Sequence, residues 1–167
     1  MTIINKAETN ADFQQIAGLA KIIWSEHYTP IIGAQQVEYM LEKFQSATAI
    51  EEQIQQGAAY FLLHFQDKPA GYFSYFKEKD TLFLSKLYVL STLRGNRIGK
   101  KAISFIEDKA KELNCDSITL TVNKYNTNSI KAYEKMGFKN MGATVKDIGE
   151  GYIMDDFLMK KDLSTPK

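Results

Sequence analysis

The residues from Leu87 to Gly99, Leu-Tyr-Val-Leu-Ser-Thr-Leu-Arg-Gly-Asn-Arg-Ile-Gly, run from an apolar strand through a basic, glycine-containing turn into a helix. The first N–H groups of a helix lack an intrahelical acceptor, and the macrodipole adds partial positive charge at the same end. A turn of this kind holds a diphosphate, and Gly95 and Gly99 let the main chain come close to it. The ligand this predicts is a nucleotide-like cofactor. His64 lies in an apolar run and reads as a hydrogen-bonded sheet residue, and no second His, Cys or carboxylate stands at a metal-ligand spacing, so no metal is expected. Cys115 reads as a small packed residue, because nothing near it in sequence depresses its pKa. No Ser-His-Asp arrangement is present.

The elements that carry this turn must come from a chain of 167 residues, 44% hydrophobic and 25% charged, which fits one globular domain with a sizeable core. The expectation is a single domain over residues 1–167, with 162–167 a disordered tail. A net charge of +1 gives little support to a nucleic-acid partner. The single cysteine excludes an internal disulfide and fits a reducing compartment. The amino terminus has no signal-peptide pattern, and the most apolar windows, 16–24 and 60–65, are far shorter than the roughly 20 residues a membrane span needs. A cytoplasmic protein with no membrane partner is expected, as a monomer or homodimer.

Periodicity predicts a short strand at Ile3 and Ile4. A helix follows with Phe13, Ile16, Ala17, Ala20, Ile23 and Trp24 on one face and Asn10 or Asp12 as its cap. A second helix carries Val37, Met40, Leu41 and Phe44, and Glu51 to Gln56 is a weaker helical piece. Pro30 and Pro69 fall where turns are expected. From Ala58 the pattern changes to three strands with hairpin-like connections, at 58–65, 70–76 and 82–89. In the third, Leu82 and Leu84 have one parity and Leu87 and Val89 the other. Either a β-bulge at Ser85 and Lys86, leaving an amide for a carbonyl oxygen, or a strand buried on both faces accounts for this.

Beyond the turn, Ile98, Ala102, Phe105, Ile106, Ala110 and Leu113 form a helical stripe, and Ile118, Leu120 and Val122 alternate as a strand. One strand, a crossover helix and another strand within about 40 residues make a parallel pair with a right-handed connection. A helix from Thr127 to Met136, with Asn126 as N-cap and Gly137 at its end, precedes two closing strands at 138–145 and 151–159. The fold class is mixed α/β (α+β): a mostly antiparallel central sheet, a parallel strand-helix-strand at the cofactor turn, and helices on both faces.

This order of elements, with two motifs, resembles the GNAT superfamily of acyl-CoA-dependent N-acetyltransferases. The family's pyrophosphate signature falls on Arg94-Gly95-Asn96-Arg97-Ile98-Gly99, with Arg97 where a small residue is usual. The second motif is an Asn followed seven residues later by Tyr and then a Gly-Phe helix end, here Asn126, Tyr133, Gly137 and Phe138. The resemblance implies that Leu87, Tyr88 and Val89 pair with the pantetheine arm of acetyl-CoA, with the Val89 amide polarising the thioester carbonyl. It also implies that the amides of Arg94, Gly95, Asn96, Arg97, Ile98, Gly99 and Lys100 hold the diphosphate. Asn126 and Ser129 would lie along the cofactor, and Lys135 would meet the phosphorylated ribose or remain a solvated helix lysine.

Tyr133 is the expected donor to the departing thiolate: a phenol of pKa about 10 is protonated at neutral pH, whereas the thiol it restores has pKa roughly 8.5. An alkylammonium of pKa about 10.4 must lose a proton before attack. Candidates to accept it are Glu26, His27, Asp155 and Asp156, and Glu26 and the Asp pair equally fit attraction of the cation without proton transfer; for each, a plain surface or strand-edge charge is the bland reading and the favoured one. The activity implied is acetyl transfer to a primary amine in a ternary complex. The segment from Trp24 to Gly33 resembles that of bacterial polyamine and diamine acetyltransferases, which favours a small cation over a protein amine. Two alternatives remain: a non-catalytic acyl-CoA sensor, and a dinucleotide enzyme, which the absence of Gly-x-Gly-x-x-Gly spacing disfavours.

Overall fold

The computed structural model describes residues 1–163, except for the side chain of Lys86. The chain divides into two compact units, Met1–Phe76 with Lys86–Phe105, and Lys77–Ser85 with Ile106–Lys167.

The first unit holds β1 (Thr2–Lys6), α1 (Asn10–Ile32), α2 (Ala34–Gln45), α3 (Ala47–Gln55), β2 (Ala59–Phe65) and most of β3 (Lys68–Glu78). It also takes the last residues of β4 (Thr81–Val89) and the first half of α4 (Ile98–Glu112). β1 and β3 flank β2 in antiparallel register, and β4 lies beyond β3. Ile16, Ala20, Ile23 and Trp24 of α1 are buried, as the helical spacing predicts, together with Val37 and Met40 of α2 and Ile50 of α3. On the sheet, Phe61 stacks on Phe73 with ring centroids 4.9 Å apart, and Phe105 of α4 meets both.

Three local expectations change here. The cap of α1 is Thr9 rather than Asn10 or Asp12. Thr9 is extended, its hydroxyl accepts from the Asp12 amide at 3.2 Å, and the Asp12 carboxylate accepts from the Thr9 amide at 3.1 Å. This reciprocal box satisfies donors at both ends of the first turn, and those hydrogen bonds, led by the one from the Glu8 amide, hold Asp12 below the usual carboxylate range. Second, Pro30 lies inside α1, near its end, instead of in a turn; the helix stops only at Gly33, whose amide donates to Thr29. Third, Pro69 is a strand residue. It pairs with His64 where β2 and β3 slip register, a bulge that tolerates a residue without an N–H. Gln66 and Asp67 make the turn themselves, both at positive φ, as a two-residue hairpin of matching twist requires. His64 Nδ1 is buried with no hydrogen-bond partner among the described residues, contrary to the satisfied sheet histidine expected.

The second unit begins with Thr81 to Ser85 of β4, which pairs in parallel with β5 (Ser117–Asn123) over Thr81–Phe83. β7 (Tyr152–Asp162) runs antiparallel to both β5 and β6 (Lys139–Gly149). With β4 common to both units, the strand order is β1-β2-β3-β4-β5-β7-β6, the mixed and mostly antiparallel sheet expected. α5 (Thr127–Lys135) is capped by Asn126, whose side-chain oxygen accepts from the Ser129 amide, and Gly137 follows at φ +98°. Ile106 and Ala110 of α4 are buried, but Leu113 lies beyond the helix and is 38% exposed, so the stripe ends one turn early. Cys115 is buried, and burial raises its thiol pKa. β7 runs through Asp162, and the Leu163 amide donates to Asp116, so the chain is tied down through the start of the expected tail; residues 164–167 lie outside the described residues.

Candidate active site

In the first unit, β4 hands over to a 3-10 turn (Ser91–Leu93) and then to α4. The turn is held from within. The Leu93 and Arg94 amides bond back to Leu90 and Ser91, and Asn96 Nδ2 donates to the Leu93 carbonyl at 2.9 Å. The Lys101 amide is the first of α4 to find a backbone acceptor, Arg97 O. No backbone acceptor among the described residues serves the amides from Gly95 to Lys100. A Cβ built on Gly95 or Gly99 would meet nothing within 4 Å, so the main chain borders open space. Gly95, at φ +89°, needs its glycine for conformation as well. Arg94, Gly95, Asn96, Arg97 and Lys100 are exposed, Gly99 is half-buried, and Ile98 is buried as the helix anchor.

Arg97 explains why a small residue is usual at its position. Its φ is +61°, a left-handed conformation that costs a residue with a Cβ about 1 kcal/mol or more. Arg97→Gly relieves that strain but adds freedom to the unfolded chain, so stability in urea should change by less than about 1 kcal/mol. Coenzyme A binding, measured by calorimetry, should weaken about threefold to tenfold through loss of the guanidinium. An affinity equal to wild type would show that Arg97 does not contact the phosphates.

Leu87, Tyr88 and Val89 are half-buried and form the outer edge of the first unit's sheet. Their partial exposure excludes a strand end buried on both faces; the alternative bulge involves Lys86, whose side chain lies outside the described residues. Tyr88 belongs to an aromatic cluster: its hydroxyl is 3.1 Å from that of Tyr28, and its ring packs on Trp24 and Tyr72. Trp24 Nε1 donates to Tyr72 Oη at 3.1 Å; Tyr72 donates to Gln45 Oε1, Gln45 Nε2 donates to Tyr60, and Tyr60 donates to Gln53. Burial pushes the Tyr60 hydroxyl up to about 12 and Tyr72 well above its usual value, so both stay neutral. Sequence reading missed this chain of hydrogen bonds. Gln45 resembles a surface polar residue, although it sits one turn beyond Leu41 on the apolar face of α2 and is 1% exposed.

Glu26 is exposed on α1 and accepts from Ser91 Oγ at 2.9 Å, which links the helix to the turn after β4. His27 is half-buried against Tyr28, and burial, followed by the Arg94 charge, lowers its pKa, leaving it neutral at pH 7. These two candidates therefore share a unit with the amide run.

The second unit positions the others. Tyr133 is half-buried on α5, with its ring edge-on to Phe138 at 5.5 Å. Asn126 is buried, Ser129 is half-buried one turn into the helix, and Lys135 is exposed at its end. Asp155 forms an ion pair with Lys124 at 2.7 Å, whereas its neighbour Asp156 is buried. Among the described residues no group of three or more His, Cys, Asp or Glu side chains stands together as a metal site would require. None of their helices is long and apolar enough to cross a membrane.

Comparison with known proteins bears on the fold that carries these residues. The chain resembles the PaiA N-acetyltransferase of Thermoplasma acidophilum, solved in complex with coenzyme A, with 19% identity over 97% of this chain and 99% of that one and a TM-score of 0.80. A GCN5-related N-acetyltransferase from Rhodopseudomonas palustris gives 16% identity, coverage of 98% and 96%, and a TM-score of 0.81. The ribosomal-protein-S18-alanine N-acetyltransferase of Escherichia coli gives 16%, 100% and 97%, and 0.72. No curated protein sequence matches. Residues 17–138, which include the amide run and both motifs, match the profile of one family, and the chain accordingly belongs to the acetyltransferase (GNAT) family.

Proposed function

We propose that this protein transfers the acetyl group of acetyl-CoA to a primary amine by direct attack in a ternary complex. The observation that carries the reading is the run of amides from Gly95 to Lys100 without backbone acceptors, bordering open space over Gly95 and Gly99. That arrangement suits a diphosphate, the charged part of coenzyme A. The edge at Leu87–Val89 suits an extended pantetheine arm, which would bond as an added strand, with the Val89 amide directed to the thioester oxygen. Ser129 and Asn126 would border the carrier, and Lys135 would answer its ribose phosphate. Tyr133 would protonate the departing thiolate, and Glu26 would attract the cationic acceptor. A small di- or polyamine is the favoured acceptor, because the resemblance from Trp24 to Gly33 includes the exposed carboxylate of Glu26.

A panel of amines incubated with acetyl-CoA, read as free thiol, tests this. Putrescine and spermidine should be consumed faster than a peptide with a free amino terminus. Acetylation of the peptide alone would remove the small-cation reading. Tight coenzyme A binding with no amine consumed would remove catalysis and leave a sensor.

A further inference from the structure

Within the second unit, Asp156 is a buried acid with no ion-pair partner among the described residues. It is 5% exposed, and its Oδ1 is sealed from solvent without a hydrogen-bond partner among the described residues. The register of β7 sets it opposite Asn123 of β5 and Thr144 of β6. The adjacent cation is committed elsewhere, since Lys124 Nζ lies 2.7 Å from Asp155 Oδ1. Lys146, two residues beyond Thr144 on the same face of β6, is exposed. Burial first, and then the Asp155 charge, push the Asp156 carboxyl up to about 6, with Lys124 opposing. A buried carboxylate without a partner is strongly disfavoured, and such groups concentrate where a ligand completes them. A cation that donates hydrogen bonds has the chemistry to complete it.

We propose that Asp156 receives the acceptor, its carboxylate binding the substrate ammonium and taking one proton from it before attack. The proposal deepens the amine-acetylation reading above and rests on it. An N–H bond of the ammonium breaks, its electron pair stays on nitrogen, and the proton passes to an Asp156 oxygen. The nitrogen then bonds to the acetyl carbon as the C–S bond breaks. The second nitrogen proton ends on sulfur, and Asp156 releases its own to solvent. A base that titrates near the working pH is well matched to this step. Asp155 is already paired with Lys124, and Glu26 is exposed and bonded by Ser91.

The test compares the full-length chain with Asp156→Asn, using putrescine and spermidine as probes. In the presence of coenzyme A, amine binding by calorimetry should weaken at least about tenfold and turnover at pH 7 should fall about 10²-fold to 10³-fold, while coenzyme A affinity holds. The pH dependence of kcat/KM separates a base from a structural residue. The wild type should rise through about 6 and then level off until the amine itself titrates. The variant should climb without that break, following the free amine. Because a folded-state pKa above the unfolded value makes the ionised group destabilising as pH rises through about 6, Asp156→Asn should melt no lower than wild type at pH 7.5, which checks its fold. Wild-type-like amine binding and turnover in the variant, or a wild-type profile without the break, would overturn the proposal and leave acetylation intact. A wild type that neither binds nor acetylates any amine would overturn both.

Discussion

Tyr133→Phe should lower the turnover of amine acetylation by about 10²-fold to 10³-fold while coenzyme A affinity changes less than about threefold. The phenol carries the only atom the substitution removes. Tyr133 is half-buried, and its ring packs edge-on against Phe138 at 5.5 Å, a contact that phenylalanine retains. A loss confined to kcat therefore reports a proton needed in the transition state, not a collapsed helix. If single-turnover thiol release by the variant matched wild type, Tyr133 would have no part in the mechanism. An equal fall in coenzyme A affinity and turnover would make it a binding residue instead.

Gly71→Ala should cost on the order of 3 kcal/mol in stability, the largest single-substitution effect expected in the first unit. A Cβ at Gly71 would stand 2.1 Å from the Tyr88 carbonyl oxygen and 3.0 Å from the Val89 Cα, and both obstacles are backbone. A flexible side chain could move aside, but β4 would have to shift as a strand. That shift would displace Leu87–Val89, the edge proposed to hold the pantetheine arm, so coenzyme A affinity should fall together with the urea midpoint. A midpoint unchanged within about 0.5 kcal/mol would mean that β3 and β4 separate at little cost. The glycine thus reports on packing between neighbouring backbones, the usual reason for glycine within a strand.

Much of the fold was legible because its signals are local. Helical stripes in α1, α2 and α4, the aromatic runs of β2 to β4, and the Asn126 cap each depend on residues within a turn or a strand of one another. The errors were local as well. Thr9 displaced Asn10 and Asp12 as the cap because a reciprocal box satisfies two donors where one side chain satisfies one. Pro69 entered β3 because a bulge opposite His64 removed the need for its N–H. Pro30 stayed helical because α1 ends only two residues later, at Ile32, where the loss of one hydrogen bond matters least.

The sequence by itself determined the amide run, because exposed donors at a helix start follow from the chain's own path through Arg94 to Gly99. It also singled out Glu26, His27, Asp155 and Asp156 without ranking them. Ranking required tertiary structure, because the state of an acid depends on what surrounds it in space and not on its neighbours in sequence. Asp155 and Asp156 are adjacent in the chain, yet the alternation of β7 turns one toward Lys124 and buries the other. The same holds for the chain of hydrogen bonds from Trp24 to Gln53. Its bonded members lie from 7 to 48 residues apart in sequence, and only packing of α1, α2 and α3 over β2 and β3 brings donor to acceptor.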